Sequence, residues 1–289
     1  MKMSFSRRKS LTGYIFVGPW LIIGIVMLIY PFVFSLMLSF SELKNVDFNN
    51  MSFAGFENYK KAFVTDINFV PYFLETVSNT LINLPMIIIT SLLLAIMVSR
   101  DIKGQGFFRS IFFLPVLLGT GFVMNQLLGQ GVDSSSMEVA RGILMPDIVK
   151  QYLGPEVTDI IGEFFSRITM VLWKSGVQII ITLAGIQGIS ISLYEAARVD
   201  GATEWEMFWK ITLPMISPVL LLSTVYTIVA STVEDSKVVN YIVDTAFEGT
   251  NVQFEFSAAM GWIYFLFILL LVGIVFAIMK PFINRVTEV

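Results

Sequence analysis

Long runs without charge dominate the pattern of this chain. Residues 10–41, 76–99, 110–132, 175–194, 211–233 and 256–279 contain no Asp, Glu, Lys or Arg, and each run has at least 20 residues. About 20 helical residues cross the hydrocarbon core of a bilayer, which is roughly 30 Å thick. Lipid permits only helices or closed barrels, and a barrel would show alternating segments of about 10 residues. The pattern therefore predicts an all-α membrane protein with six transmembrane helices.

We treat residues 1–289 as a single transmembrane domain. Pro19 and Pro31 suggest a bent or broken first span, because proline removes a helical hydrogen bond. The first long loop, 41–72, is expected to hold a short helix from about Phe56, and 130–164 is expected to be a long polar loop. The predicted spans cover roughly residues 12–40, 73–99, 107–129, 165–188, 211–233 and 256–279.

The distribution of Lys and Arg predicts the orientation of the spans. Eleven Lys and Arg residues fall on the side that holds both termini, and six fall in the longer loops opposite. Cytoplasmic loops carry the excess of Lys and Arg in membrane proteins. We therefore expect both termini in the cytoplasm.

Composition agrees with a membrane protein and narrows its chemistry. Only 14% of residues are charged and the mean hydropathy is +0.76, whereas a soluble domain has about a quarter charged residues. The chain has no Cys and no His, which excludes disulfides, metal sites built on those residues, and thiol or Ser-His-Asp catalysis. A P-loop is absent from the sequence, and a net charge of −3 argues against a nucleic-acid partner. We expect neither catalysis nor a bound cofactor in this chain.

A polar segment at residues 194–214 interrupts the apolar pattern. Ser192 with Glu195, and Thr203 with Glu206, have the spacing of capping boxes, which start helices. Gly201 lies between them, where a helix end favours a left-handed residue. The segment therefore predicts two short helices joined at Asp200-Gly201, on the cytoplasmic side. The alternative is that these residues only cap helices and that the tryptophans beside them anchor the chain at the membrane interface.

The same segment resembles the EAA motif of permease subunits in binding-protein-dependent ABC importers. It carries that motif as Glu195-Ala-Ala-x-x-Asp200-Gly-Ala-x-x-x-x-x-Phe208-x-x-Ile211-x-Leu-Pro214. Further stretches resemble the carbohydrate-uptake branch, the relatives of the maltose permease, and in particular its first-subunit type. They are Leu11-Thr-Gly-Tyr14 through Pro19-Trp20, Tyr30-Pro31 through Ser39-Phe40, Gly55-Phe-Glu-Asn-Tyr59, Gly106-Phe-Phe-Arg-Ser-Ile-Phe-Phe-Leu-Pro115 and Leu183-Ala-Gly-Ile-Gln187.

The chain departs from the family at two places. The family often has Gly-Gly-Pro in the loop after the fifth helix, where this chain has Glu234-Asp-Ser-Lys237 and then Glu248-Gly-Thr-Asn251. A proline commonly precedes the first helix of the motif, where this chain has Ile191-Ser192. The first departure concerns the outer loop and the substrate, and the second is compatible with a capping box.

The resemblance implies a complete transport machine. It implies a multi-pass plasma-membrane (inner-membrane) subunit that pairs with a second permease subunit, two ATPase subunits and an extracellular solute-binding protein. ATP and Mg²⁺ would be bound by the ATPases, and this chain would be non-catalytic. Residues 194–214 would form the coupling helix, which sits in a cleft of the ATPase. The contact residues would be Glu195, Ala196, Ala197, Asp200, Gly201 and Ala202.

Polar residues inside the spans are candidates for a substrate path, because ionisable and amide side chains within membranes are often functional. A sugar site needs amides that match hydroxyl groups and an aromatic ring for stacking. The alternative is that these side chains make interhelical hydrogen bonds, worth about 0.6 kcal/mol on average, or that Lys174 reaches outward to the interface. The candidates are Asn125, Gln126, Trp173, Lys174, Ser175 and Gln178.

Other functions remain open at this point. A permease of the same superfamily could carry a solute that is not a sugar. An ion-coupled secondary transporter would need a carboxylate within the membrane, and the charge-free runs offer none. A membrane enzyme is disfavoured by the lack of His and Cys.

Overall fold

A computed structural model describes residues 5–43, 48, 50–99, 154–233, 236–248 and 252–287. These residues form ten α-helices, two π-turns and two short strands. In chain order the elements are α1 (Phe5–Ser39), β1 (Ser41–Leu43), β2 (Met51–Phe53), α2 (Glu57–Lys60), a π-turn (Lys61–Thr65), α3 (Phe69–Ser99), α4 (Pro155–Lys174), α5 (Gly176–Gln187), α6 (Ile191–Val199), α7 (Glu204–Met207), a second π-turn (Phe208–Thr212), α8 (Leu213–Val233), α9 (Lys237–Phe247) and α10 (Phe254–Thr287).

Four helical segments within the described ranges are long and apolar enough to cross a bilayer. They agree with the first, second, fifth and sixth predicted spans, and helix α1 runs through Pro19 and Pro31 without a break. The third predicted span, 107–129, lies outside the described residues. The four segments are Phe16–Ser39, Phe69–Ser99, Glu204–Val233 and Phe254–Ile283.

The fourth predicted span, 165–188, is not one straight helix. Helix α4 begins at Pro155, within the region predicted as a loop, and ends at Lys174. Helix α5 then covers only 12 residues and turns by 62° into α6. Charged residues along α4 recur at intervals of three, four, four and seven residues, which is the spacing of one helical face. An amphipathic helix of this kind holds too many charges to appear in a search for charge-free runs.

The chain divides into two compact units, of which the first contains residues 1–76 and 235–269. Strands β1 and β2 pair antiparallel there, with Glu42 opposite Ser52, so the all-α prediction missed a small hairpin. The predicted short helix is present as α2 and its π-turn, whereas α9 was not predicted. Helix α9, the loop before α3 and the start of α10 close around a core of Ala62, Phe69, Val238, Phe256, Met260 and Tyr264.

The second unit contains residues 77–234 and 270–289. Helices α5 and α8 pack along each other in opposite directions, since Gln178 contacts Thr227 while Ile189 clusters with Ile216. A Cβ atom on Gly185 would lie only 2.9 Å from a methyl carbon of Val219. Small residues let helices approach closely in membranes, where the hydrophobic effect does not drive them together. This pair carries the polar segment at its end.

Candidate functional site: the exposed turn between α6 and α8

Helix α6 ends in the tight turn at the centre of the polar segment. The N–H of Gly201 donates to the Arg198 carbonyl (3.1 Å), and the N–H of Ala202 donates to the Ala197 carbonyl (2.9 Å). These two bonds form a Schellman motif, which needs a left-handed residue directly after the helix cap. Gly201 has φ = +81°, a conformation that glycine adopts without steric cost. The chain therefore bends after Asp200, as the sequence predicts.

Helix α7 begins with one of the two predicted capping boxes. The Glu206 N–H donates to Thr203 Oγ1 (3.3 Å), and the Thr203 N–H donates to the Glu206 carboxylate (3.0 Å). The box predicted for Ser192 and Glu195 is wrong, because α6 begins at Ile191 and Ser192 lies inside its first turn. The Ser192 hydroxyl instead pairs with the hydroxyl of Ser190 (2.7 Å). Glu195 is thus left without a capping role.

The turn between α6 and α7 presents an exposed surface of mixed character. Val199 is 88% exposed and Trp205 is 69% exposed, so the turn presents apolar as well as charged side chains. Arg198 and Glu204 form an ion pair across the turn (3.2 Å) with both side chains in solvent. Exposed pairs of this kind contribute little stability. Of the predicted contact residues, Glu195, Ala196, Asp200 and Gly201 are exposed, and Ala197 and Ala202 are half-buried.

A π-turn connects the exposed turn to the membrane span. Leu213 N–H bonds to the Phe208 carbonyl, five residues earlier, instead of the carbonyl four residues earlier. In a regular α-helix the ring of Pro214 would collide with the carbonyl of Lys210. A local π-turn relieves such a collision by widening the helix. Helical structure therefore runs from Glu204 to Val233 without interruption.

A side-chain hydrogen bond joins α6 to the second π-turn, directly before α8. The hydroxyl oxygens of Tyr194 and Thr212 are 2.8 Å apart, and Thr212 is 8% exposed. The Tyr194 side chain packs against the buried cluster of Ile189, Ile216 and Leu220. Sequence reasoning missed this contact, because 18 residues separate the partners and neither stands out in the local pattern.

Two predicted path residues lie buried at the junction of α4 and α5. Ser175 is fully buried, and its hydroxyl donates to the Val171 carbonyl. Gln178 is 2% exposed. In the orientation of the side-chain amide that satisfies both of its polar atoms, the nitrogen donates to the Lys174 carbonyl (2.8 Å) and the oxygen accepts from the Thr227 hydroxyl (3.0 Å). Gln178 therefore links the junction of α4 and α5 to α8 by hydrogen bonds.

The remaining path candidates differ in their surroundings. Trp173 is 39% exposed and Lys174 is half-buried. Both lie at the end of α4, directly before Ser175, and the Lys174 carbonyl accepts from Gln178. Asn125 and Gln126 lie outside the described residues. Within the described part of the chain, the hydroxyls of Thr182 on α5 and Ser223 on α8 are buried without a hydrogen-bond partner. Thr182 follows Gln178 by four residues on α5, and Ser223 precedes Thr227 by four residues on α8, so each pair lies on one face of its helix. This four-residue spacing of polar side chains can be recognised in the sequence.

The fold and the site together define an α-helical membrane protein in which an exposed, capped turn leads into a long apolar helix. The sequence profile of the family described as "Binding-protein-dependent transport system inner membrane component" matches residues 68–288. This chain belongs to that family, and it is a multi-pass protein of the inner membrane. The resemblance inferred from the EAA motif is thereby confirmed at the level of the family.

Individual proteins show how far the similarity extends. The probable ABC transporter permease protein YesP of Bacillus subtilis (strain 168) is 28% identical over 78% of this chain and 72% of its own. The lactose transport system permease protein LacF of Rhizobium radiobacter is 28% identical over 78% and 74%. A subunit of the bacterial alginate ABC transporter, solved with an alginate pentasaccharide-bound periplasmic protein, shares the fold with a TM-score of 0.64, at 20% identity over 96% of both chains.

Proposed function

We propose that this chain is a permease subunit of an ATP-driven importer for an oligosaccharide or a related carbohydrate. The family match over residues 68–288 is the observation that carries the proposal. The carbohydrate follows from similarity to a protein named for lactose transport and to a subunit of an alginate transporter. The alternative is a permease of the same family that transports a solute other than a sugar, and the experiment below distinguishes the two.

In this proposal the exposed turn is where a separate ATPase subunit grips the chain. Glu195 would pair with a basic residue of the ATPase, and the small side chains of Ala196, Ala197 and Ala202 would permit close packing. The Glu195 carboxylate is exposed and caps no helix, so it is available for that contact. Gly201 would fix the bend that presents this surface.

Force on the turn would reach the membrane through two connections. The helix continues from Glu204 into the span that ends at Val233, and the Tyr194–Thr212 bond ties α6 to the same span. Helices α5 and α8 would then move together as the two ATPases close on ATP and Mg²⁺. Rigid-body motion of this kind produces alternating access.

Four further components complete the proposed machine. A second permease subunit would form the other half of the path, two ATPases would bind from the cytoplasm, and an extracellular solute-binding protein would deliver the sugar. Both termini would be cytoplasmic. Among the path candidates, we infer that Trp173 and Lys174 contact solute, because Ser175 and Gln178 are buried and hydrogen-bonded. Asn125 and Gln126 stay candidates.

Copurification followed by reconstitution tests the proposal. The tagged chain should bring an ATPase subunit with it, and proteoliposomes supplied with the solute-binding protein and ATP should accumulate labelled oligosaccharide. An ion gradient without ATP should give no uptake. Transport by the isolated chain on an ion gradient would refute the importer, and ATP-driven uptake restricted to a non-sugar solute would refute the carbohydrate assignment alone.

A further inference from the structure

The loop between α1 and α3 displays large apolar side chains on its outside. Phe56 is 73% exposed and directly precedes α2, and Phe63 is 56% exposed and lies in the π-turn that follows α2. The residues that follow are similar, with Val64 at 72% and Ile67 at 83%. We call Phe56, Lys60, Phe63, Val64 and Ile67 the loop surface.

The opposite face of this helical segment is fully engaged, which fixes how the segment is turned. Asn58 donates to the carbonyls of Ser39 (3.2 Å) and Ser41 (2.8 Å). The Tyr59 hydroxyl pairs with that of Ser39 (2.7 Å), and Ala62 is fully buried. Lys60 lies on another side of the segment and is exposed. The Phe56 ring packs against Phe40 and the Phe63 ring against Phe69, yet each of the two residues is still more than half exposed.

The loop surface combines apolar rings with an available positive charge. Lys60 is exposed, and no carboxylate of the described residues forms an ion pair with it. Lys61 next to it is already held, because its ammonium bonds to Gln253 and lies 4.3 Å from the centre of the Phe256 ring. A lysine that lies between two phenylalanines in the sequence suits the membrane interface, where the rings enter the apolar boundary and the ammonium meets lipid phosphate.

The position of the loop indicates that lipid is the partner of the loop surface. Helix α1 ends at Ser39 and α3 begins at Phe69. The bond from Asn58 to the Ser39 carbonyl and the packing of Ala62 in one cluster with Phe69 hold the helical segment at these two helix ends. We propose that the loop surface is an interfacial anchor, which inserts Phe56 and Phe63 among the lipid headgroups and sets Lys60 against their phosphates. This inference needs only that α1 and α3 span the membrane, and it is independent of the transported solute.

The absence of native cysteine allows a direct depth measurement. Single-cysteine variants Phe56→Cys and Phe63→Cys are labelled with an environment-sensitive fluorophore in the full complex in proteoliposomes. Nitroxide lipids labelled at shallow and deep positions then locate each probe. Asp244→Cys is the matched control, because Asp244 is exposed on helix α9, which packs against the start of α3 through Tyr241 and Asp66 (2.7 Å).

Probes at 56 and 63 should be quenched most by the shallow nitroxide, at a depth of about 5–10 Å, and should be shielded from iodide in the water. The probe at 244 should show the reverse pattern. Equal accessibility to iodide at 56, 63 and 244 would overturn the proposal and would leave the loop surface free for a protein partner. Shielding at 56 and 63 without any lipid quenching would overturn it equally, because another protein would then cover them.

Discussion

The exposed turn between α6 and α8 and the cluster around α9 are held together in opposite ways. Within residues 197–210 the bonds join residues at most six positions apart, such as Thr203 with Glu206 and Arg198 with Glu204, and the Tyr194–Thr212 bond at the edge of the turn spans 18 positions. Around α9, the bonds join residues far apart in sequence, and they link Lys61 with Gln253, Asp66 with Tyr241 and Glu75 with Lys237.

This difference indicates how far each region depends on contacts with distant parts of the chain. The capping bonds of the turn need only residues close in sequence, so the turn depends less on distant segments, and Met207 and Thr212 are its buried contacts. The α9 cluster forms only when distant segments meet, so its bonds report on the integrity of the whole unit. Substitutions in the turn should therefore change function while folding persists, and substitutions in the cluster should change stability first.

The largest expected effect is on the turn itself. Gly201→Asp should abolish ATP-driven uptake while the chain remains in the membrane, because a carboxylate would enter the proposed contact surface. The chain should still fold, since a Cβ atom at Gly201 would meet nothing within 4 Å and the left-handed conformation costs other residues only about 1–2 kcal/mol. Uptake assays and membrane quantification check both parts.

Gly154→Asp is a stringent control for that substitution. Gly154 has φ = +80° and ψ = 157° with open space around its Cβ position, a conformation almost restricted to glycine, so the added charge is the same as at Gly201 and the backbone strain is at least as large. Gly154 precedes α4, away from the turn in sequence. Equal loss of uptake in both variants would show that strain or charge alone is responsible, which would contradict the special role of the turn.

The next effect tests the α9 cluster. Asp66→Ala removes the acceptor for the Tyr241 hydroxyl and for the N–H groups of Asn68 and Phe69 at the start of α3. Loss of such a partner costs about 1–3 kcal/mol, so the midpoint of thermal unfolding in detergent should fall. Asp244→Ala is the control on the exposed side of α9, and an equal fall there would contradict the comparison.

A smaller effect is expected at the bond that links α6 to α8. Tyr194→Phe and Thr212→Val each remove one hydroxyl, and the pair should be worth about 0.5–1.5 kcal/mol. In a double-mutant cycle the two losses should not add, and Thr212→Ser should restore the coupling. The measurements are unfolding midpoint and solute transported per ATP hydrolysed. Strict additivity in both would show that the two hydroxyls act independently.

The last effect is a pH dependence in the cluster, which appears only in alkaline solution. Burial, aided by the bond to Asp66, raises the pKa of Tyr241 from 10.0 to about 12. The protonated phenol therefore stabilises the fold fully below pH 10, and this contribution is lost as the pH rises towards 12. Unfolding midpoints of Tyr241→Phe should be less pH-dependent over that window than those of the parent. A constant difference from pH 9 to 12 would be inconsistent with the raised pKa.

The same comparison explains what the sequence could and could not predict. Capping residues, glycine at the bend and charge-free runs are local signals, and they placed the turn and four apolar helices that are long enough to cross a bilayer. The search for charge-free runs missed the first part of helix α4 because that helix is amphipathic. The capping box predicted at Ser192 is wrong because α6 already begins at Ile191. The bonds of Asp66 with Tyr241 and of Tyr194 with Thr212 depend on tertiary packing, which no local pattern records.

Cross-linking from the turn tests the central claim most directly. Val199, 88% exposed at the bend, is replaced by the chain's sole cysteine and coupled to a photoactivated cross-linker in membranes that support ATP-driven uptake. Asp244→Cys on α9 serves as the control. We predict a product of this chain with an ATPase subunit from position 199 and none from position 244. An ATPase product from position 244, or none from position 199 in active membranes, would contradict the account.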